Sequence, residues 1–239
     1  MSSRIHHARL LSRRTLARRT EEFVLGTEEP ELTFRPGQFI SVAVGTDAQA
    51  NPILRSYSIA SPPDRRGEIV LILRMVEGGV GTAFFDRLQP GDRLRFTGPM
   101  GFFVNELAHP GDVVYAATGT GIAPILPMAQ EAAARAETGR ILLEWGLRDE
   151  QDIFWQRELE ALQRQSPRVR VRLFLSRPSA GWPGLRGHIT GPILEELPRL
   201  SQPTFYLCGN GRMVEELKAA LQARGVHRKR QIRTEVFFD

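Results

Sequence analysis

The chain has 239 residues, 41% of them hydrophobic and 25% charged, and a formal net charge of +5. That balance belongs to a soluble globular protein of one large or two ordinary domains, and no run approaches the roughly 18 apolar residues of a membrane span. A single cysteine, Cys208, excludes an internal disulfide, a cysteine-built zinc site and a four-thiolate iron–sulfur cluster, and fits a reducing, cytoplasmic setting.

The excess charge is carried by arginine, since Lys218 and Lys229 are the only lysines. Clusters stand at Arg13-Arg14, Arg18-Arg19 and His227-Arg228-Lys229-Arg230. They form no stripe interleaved with aromatics and carry no helix–turn–helix, finger or RNA-binding signature, so a nucleic-acid partner is not expected. Anionic cofactors or an acidic protein suit the charge equally well. The five histidines are scattered without ligand spacing, and no metal site is expected. Residues 1–20 hold six arginines but no apolar core like that of a signal peptide. Residues 1–14 read as a flexible basic tail leading into the first strand.

In chain order, a β-type run at 39–44 follows Pro36-Gly37. The next segment, Arg55-Ser56-Tyr57-Ser58-Ile59-Ala60-Ser61, is the most informative. On a strand Arg55 and Tyr57 share one face, and Ser56 and Ser58 share the other or turn at the strand end. A guanidinium grips a phosphate by parallel bonds and a phenol lies against a flat ring. The pair therefore suits an anionic, planar ligand such as a flavin dinucleotide, although Tyr flanked by Ser is also ordinary sheet surface. A run at 69–75 follows. Gly78-Gly79-Val80-Gly81-Thr82 then opens a short helix over 83–88, as either a phosphate cradle or a loose connection. A further run at 94–97 follows Pro90-Gly91-Asp92. Short strands punctuated in this way predict an antiparallel barrel.

Near His109-Pro110-Gly111 the rhythm changes to apolar strand followed by helix. Strands are predicted at 113–117, 141–145, 169–175 and 205–207, with helices at 122–135, 153–163, 192–197 and 213–223. The alternation implies parallel strands with crossover helices. The boundary is placed between 109 and 110, giving domains 1–109 and 110–239. The motif Thr118-Gly119-Thr120-Gly121-Ile122-Ala123-Pro124 joins the first of these strands to its helix. Bare glycines at a helix N-terminus make an anion site, and ligands gather at the carboxyl ends of parallel strands. Two such loops, one per half, imply two dinucleotides.

Taken in order, Arg55-Ser56-Tyr57-Ser58, Gly79-Val80-Gly81-Thr82, Gly98-Pro99-Met100-Gly101, the Thr118–Pro124 motif and Leu207-Cys208-Gly209-Asn210 resemble the ferredoxin–NADP reductase superfamily. Met100-Gly101-Phe102-Phe103-Val104 is most similar to the compact bacterial ferredoxin (flavodoxin)–NADP reductases. The resemblance implies a Greek-key FAD-binding β-barrel followed by an α/β nicotinamide-binding domain. It also implies hydride exchange with NADP(H) and single-electron exchange with an acidic ferredoxin or flavodoxin, by a monomer. Carried over by residue, Arg55, Ser56, Tyr57, Ser58, Leu73, Gly79, Gly81 and Thr82 hold FAD. Thr118, Gly119, Thr120, Gly121 and Ile122 receive the nicotinamide dinucleotide's phosphates. Cys208 and Gly209 line the nicotinamide pocket, and Phe237 or Phe238 covers the flavin face. Ser58, Cys208 and Glu235 stand at the catalytic positions.

NADP rather than NAD is expected as the second cofactor, because Arg148, Arg177 and Arg186 fall where the resemblance places 2′-phosphate ligands. Asp149, Glu150 and Asp152 follow Arg148 at once and speak for NAD, since a carboxylate matches a 2′-hydroxyl. The alternative activity is that of an NADH-using reductase component of an oxygenase or another multi-subunit redox complex.

Overall fold

Strand formation begins earlier than the sequence suggests. In a computed structural model describing residues 4–29, 32–62, 64–106, 110–136 and 139–237, strand β1 spans Ile5–Ala17. The basic stretch expected as a tail over 1–14 is thus sheet from Ile5 onward. The reason is alternation at its start, where His6, Ala8 and Leu10 are buried, and pairing beyond it, where Arg13 and Arg14 meet acidic residues of β2 (Thr20–Thr27). Arg14 pairs with Glu22 at 2.5 Å and Arg13 with Glu21 at 3.6 Å, and Arg9 reaches Glu28 at 3.8 Å. Cross-strand pairs of opposite charge stabilise the register and use up much of the N-terminal basic excess.

The chain divides into two compact units, Met1–Val104 and Asn105–Asp239. His109, where the sequence places the change of rhythm, lies outside the described residues. The first unit continues with β3 (Phe39–Thr46), β4 (Pro52–Ser58), β5 (Glu68–Arg74), α1 (Val80–Arg87) and β6 (Arg93–Met100). Its six strands are antiparallel in the order β4-β3-β6-β1-β2-β5. An antiparallel bridge between Ile59 and Leu71 joins the two outer strands, helped by the Ala60 N–H donating to the Val70 carbonyl at 2.8 Å. The edges meet and the sheet closes into a barrel. Around it β6, β3, β4 and β5 follow one another, the order of a Greek key. Inside lie Leu10, Phe23, Leu25, Ile40, Val42, Leu71, Phe85 and Phe96.

The second unit holds β7 (Val113–Thr118), α2 (Ile122–Ala134), β8 (Ile141–Leu147), α3 (Gln156–Gln165), β9 (Val169–Leu175), β10 (Leu185–Arg186), α4 (Thr190–Glu196), β11 (Thr204–Asn210), α5 (Gly211–Gln222), α6 (Arg228–Gln231) and β12 (Ile232–Phe237). All six strands are parallel, in the order β10-β9-β8-β7-β11-β12. Helix α3 starts three residues later than expected, because Trp155 sits at φ 54°, a left-handed conformation that a helix interior does not hold.

The base of this sheet is tied by Asp112, which is 4% exposed. It accepts the Ser201 N–H at 2.9 Å, the Arg140 N–H at 2.8 Å and the Arg140 guanidinium at 2.8 Å. Burial pushes its pKa up, but these bonds outweigh burial and hold the carboxyl below its ordinary value. At the other end, the chain runs outward from β7 through β8 to β9 and returns on the opposite side as β11. The strand order therefore reverses between β7 and β11, the place where open parallel sheets bind ligands at their carboxyl ends.

Candidate functional site

In the first unit, β4 and the N-terminus of α1 come together. Arg55 is exposed and Tyr57 half-buried. A Cβ on Gly81 would lie 2.4 Å from the Tyr57 hydroxyl and 3.8 Å from Arg55 Cγ. Arg55 and Tyr57 thus share the face that meets α1, and only a glycine lets the helix approach so closely. The Tyr57 ring stands edge-on to Phe85, 5.1 Å between centroids, which fixes its plane. Burial pushes its phenol up to about 12 against the pull of Arg55, so the hydroxyl stays protonated at neutral pH. Gly79 caps α1, and the first turn carries no acidic residue. Thr82 Oγ1 accepts the Val76 N–H at 2.8 Å, bracing the glycine loop while keeping its own proton to donate.

An exposed guanidinium, a fixed aromatic and a helix start without a side-chain cap fit a flavin dinucleotide. Ser58 is buried at the end of β4, and Ser56 is exposed. The Leu73 side chain is 4% exposed and belongs to the barrel core. Phe85, a core residue brought against Tyr57 by α1, holds the plane of that ring.

In the second unit, the ends of β7 and β11 meet at the switch point. Residues Gly119–Gly121 form a short 3₁₀ turn leading into α2. Gly119 has φ +54° and Gly209 φ +122°, conformations that favour glycine. A Cβ on Gly121 would lie 2.5 Å from the Cys208 carbonyl oxygen, and one on Gly209 2.5 Å from the Thr118 carbonyl oxygen. The Asn210 N–H donates to Thr118 Oγ1 at 2.9 Å. The motifs at 118–122 and 207–210, 85 or more residues apart in sequence, therefore form one wall.

Cys208 pairs in register with Glu235 on β12. Its side chain is fully buried, and burial, with the Glu235 charge adding, pushes the thiol well above its usual range. It is a protonated thiol behind the wall rather than a thiolate. Phe237 ends β12 opposite Asn210, and Phe238 lies outside the described residues.

The three arginines read for phosphate recognition lie at one end of this sheet. The Arg177 N–H donates to the Arg148 carbonyl at 2.7 Å, which sets the two residues side by side, both exposed. Arg186 donates from Nη2 to the carbonyls of Ser179, Ala180 and Trp182 at 2.9–3.0 Å, so it braces its own loop. The neighbouring acids are engaged too. Asp149 accepts the Gln151 N–H at 3.1 Å, and Asp152 is buried. Glu150 accepts the Ser179 N–H at 2.9 Å and hydroxyl at 2.5 Å. Those bonds hold its pKa below the usual carboxylate value, the Ser179 hydroxyl contributing most. Sequence spacing does not show the Glu150–Ser179 contact, since the two residues lie 29 apart.

Among the described residues no group of histidine, cysteine or carboxylate side chains could hold a metal, and no helix is long and apolar enough to cross a membrane.

Residues 7–104 match the family model for an oxidoreductase FAD-binding domain, and residues 116–219 that for an oxidoreductase NAD-binding domain. Ferredoxin–NADP reductase B of Sorangium cellulosum is 34% identical over 203 residues, 82% of this chain and 82% of its own. The reductase component of the naphthalene 1,2-dioxygenase/salicylate 5-hydroxylase systems of a Ralstonia species is also 34% identical, over 82% of this chain but 58% of its own length. The solved structure of the Amycolatopsis cytochrome P450 reductase aligns with a TM-score of 0.86 at 31% identity, over 98% of this chain and 70% of that one. With an FAD-binding barrel unit followed by an NAD-binding α/β unit, the chain belongs to the ferredoxin–NADP reductase superfamily and is a flavin-dependent oxidoreductase.

Proposed function

We propose that this chain is a cytoplasmic, monomeric ferredoxin (or flavodoxin)–NADP reductase. The meeting of Arg55, Tyr57 and Gly81 in one unit, matched by Thr118, Gly121 and Gly209 in the other, carries the reading. Bound FAD supplies a step between two-electron hydride exchange with NADP(H) and single-electron exchange with a protein carrier. Arg55 and the first turn of α1 bind the FAD pyrophosphate, Tyr57 packs against the flavin ring, and Ser58 hydrogen-bonds at its reactive edge. Thr118–Ile122 receive the phosphates of NADP(H). Gly209 gives the nicotinamide room, backed by the buried Cys208. Glu235 orients the nicotinamide or assists proton traffic there, and Phe237 covers that end of the site.

The preference for NADP rests on Arg148 and Arg177 standing together while Asp149, Glu150 and Asp152 are engaged elsewhere. Steady-state diaphorase assays are expected to give a higher kcat/KM with NADPH than with NADH. Arg148→Ala or Arg177→Ala narrows the ratio roughly three- to tenfold, through NADPH alone, because only that cofactor carries the extra phosphate. Arg186→Ala acts more weakly, by loosening the loop. Equal efficiency with the two cofactors in the wild type reverses the choice.

An acidic carrier suits a chain of net charge +5. Electrostatic steering then speeds association, and salt slows it. Raising ionic strength to about 0.5 M, where the Debye length is roughly 4–5 Å, lowers the second-order rate with ferredoxin or flavodoxin several-fold. The rate with a neutral quinone stays nearly flat. A carrier rate insensitive to salt favours the second reading, that of a reductase component within a permanent oxygenase complex. The Ralstonia relative supports that alternative.

A further inference from the structure

We propose that Trp145 is a positioning residue for the dinucleotide pyrophosphate, acting through the main chain of Gly119. This rests on the reading of the second unit as the nicotinamide-dinucleotide site. Trp145 lies on β8 beside Ala117 of β7 and is fully buried. Its indole Nε1–H donates to the Gly119 carbonyl at 3.0 Å. An indole has one polar hydrogen and no acceptor, so without Gly119 that donor would be buried and unmatched.

The consequence follows from peptide geometry. The Gly119 carbonyl and the Thr120 N–H belong to one planar trans unit and point in opposite directions. Drawing the carbonyl down onto the indole turns the Thr120 N–H away from it, toward the mouth of the glycine turn. Gly119, at φ +54°, is conformationally permissive and would otherwise let this peptide rotate. The anchor is itself held. Trp145 packs edge-on to Phe154 with centroids 4.9 Å apart, and Phe154 packs on Trp155 at 5.5 Å. A turn whose N–H groups are already aimed loses less freedom when a diphosphate binds.

The test is Trp145→Phe, which keeps an aromatic ring at the position and removes the N–H, at the cost of some buried volume. Isothermal titration of the FAD-loaded protein is expected to show 5′-ADP, NADP⁺ and NAD⁺ all binding about three- to tenfold more weakly. Binding of 2′-AMP, which has no pyrophosphate, stays unchanged, as do FAD content and the NADPH-to-NADH ratio of kcat/KM. A residue that merely supported the fold would lower Tm and leave these affinities alone, and that result overturns the proposal. If the variant does not fold, the wild type answers. Its Trp145 indole proton, separated from the other two by Trp155→Phe and Trp182→Phe, is expected to shift in the ¹H–¹⁵N spectrum on adding 5′-ADP. An unmoved signal overturns the proposal. Wild-type protein that binds none of the three pyrophosphate ligands defeats the reading of the unit itself. Wild-type binding with an equal Trp145→Phe defeats the role of Trp145 alone.

Discussion

Replacing Arg55 and Tyr57 together by alanine is expected to yield protein largely free of FAD. The first change removes a charged contact to the pyrophosphate, and the second removes a ring stack. Each is worth about 1–3 kcal/mol, by analogy with hydrogen bonds to charged groups and base–aromatic stacks. Together they weaken binding by roughly thirty- to twenty-five-thousandfold. The readout is the ratio of flavin to protein absorbance after purification, with released flavin counted by fluorescence. Full FAD occupancy in the double variant would place the site elsewhere.

The second large effect is expected from Gly121→Ala. The added Cβ would fall 2.5 Å from the Cys208 carbonyl oxygen and 2.8 Å from Gly209 Cα. Both are main-chain atoms in the middle of a parallel sheet, and neither moves aside as a flexible side chain would. Overpacking of this kind costs about 1–3 kcal/mol or more, and here it forces β7 and β11 apart where the phosphates bind. The variant is expected to lose most NADP⁺ affinity in titration and to lower the Tm of the second unit, while FAD remains bound. Affinity and Tm matching the wild type would mean that the close approach of these two strand ends does not shape the site.

The parts of the fold that the sequence reveals are those where local pattern and tertiary role agree. Strand β9 falls at 169–175 as read, and β7 and β8 extend their predicted cores by one and two residues. Parallel strands covered on both faces read as continuous apolar runs. The glycine motifs are legible because each marks a conformation or a close approach that only glycine permits. Strand β1 was hidden by its arginines. Their charge suggested a tail, and only the acidic partners on β2 turn them into sheet surface. Leu73 is placed at the cofactor by resemblance alone, since β5 is buried along five of its seven residues and its pattern reads as core. Glu150 and Trp145 were missed for a common reason. Each acts on a loop 26 or 29 residues away, and neither periodicity nor spacing records which turn a strand end will face.

The account's central claim is that one chain binds both a flavin and a nicotinamide dinucleotide and moves electrons between them. Anaerobic addition of NADPH to the purified protein tests it most directly. A yellow protein carrying one FAD per chain is expected, and its visible flavin band should bleach within the mixing time of a hand-run titration, then return on adding oxidised ferredoxin or flavodoxin. A colourless protein, or a yellow one whose band is unmoved by NADPH and NADH alike, would contradict the claim and leave a nucleotide-binding module that keeps the fold without the chemistry.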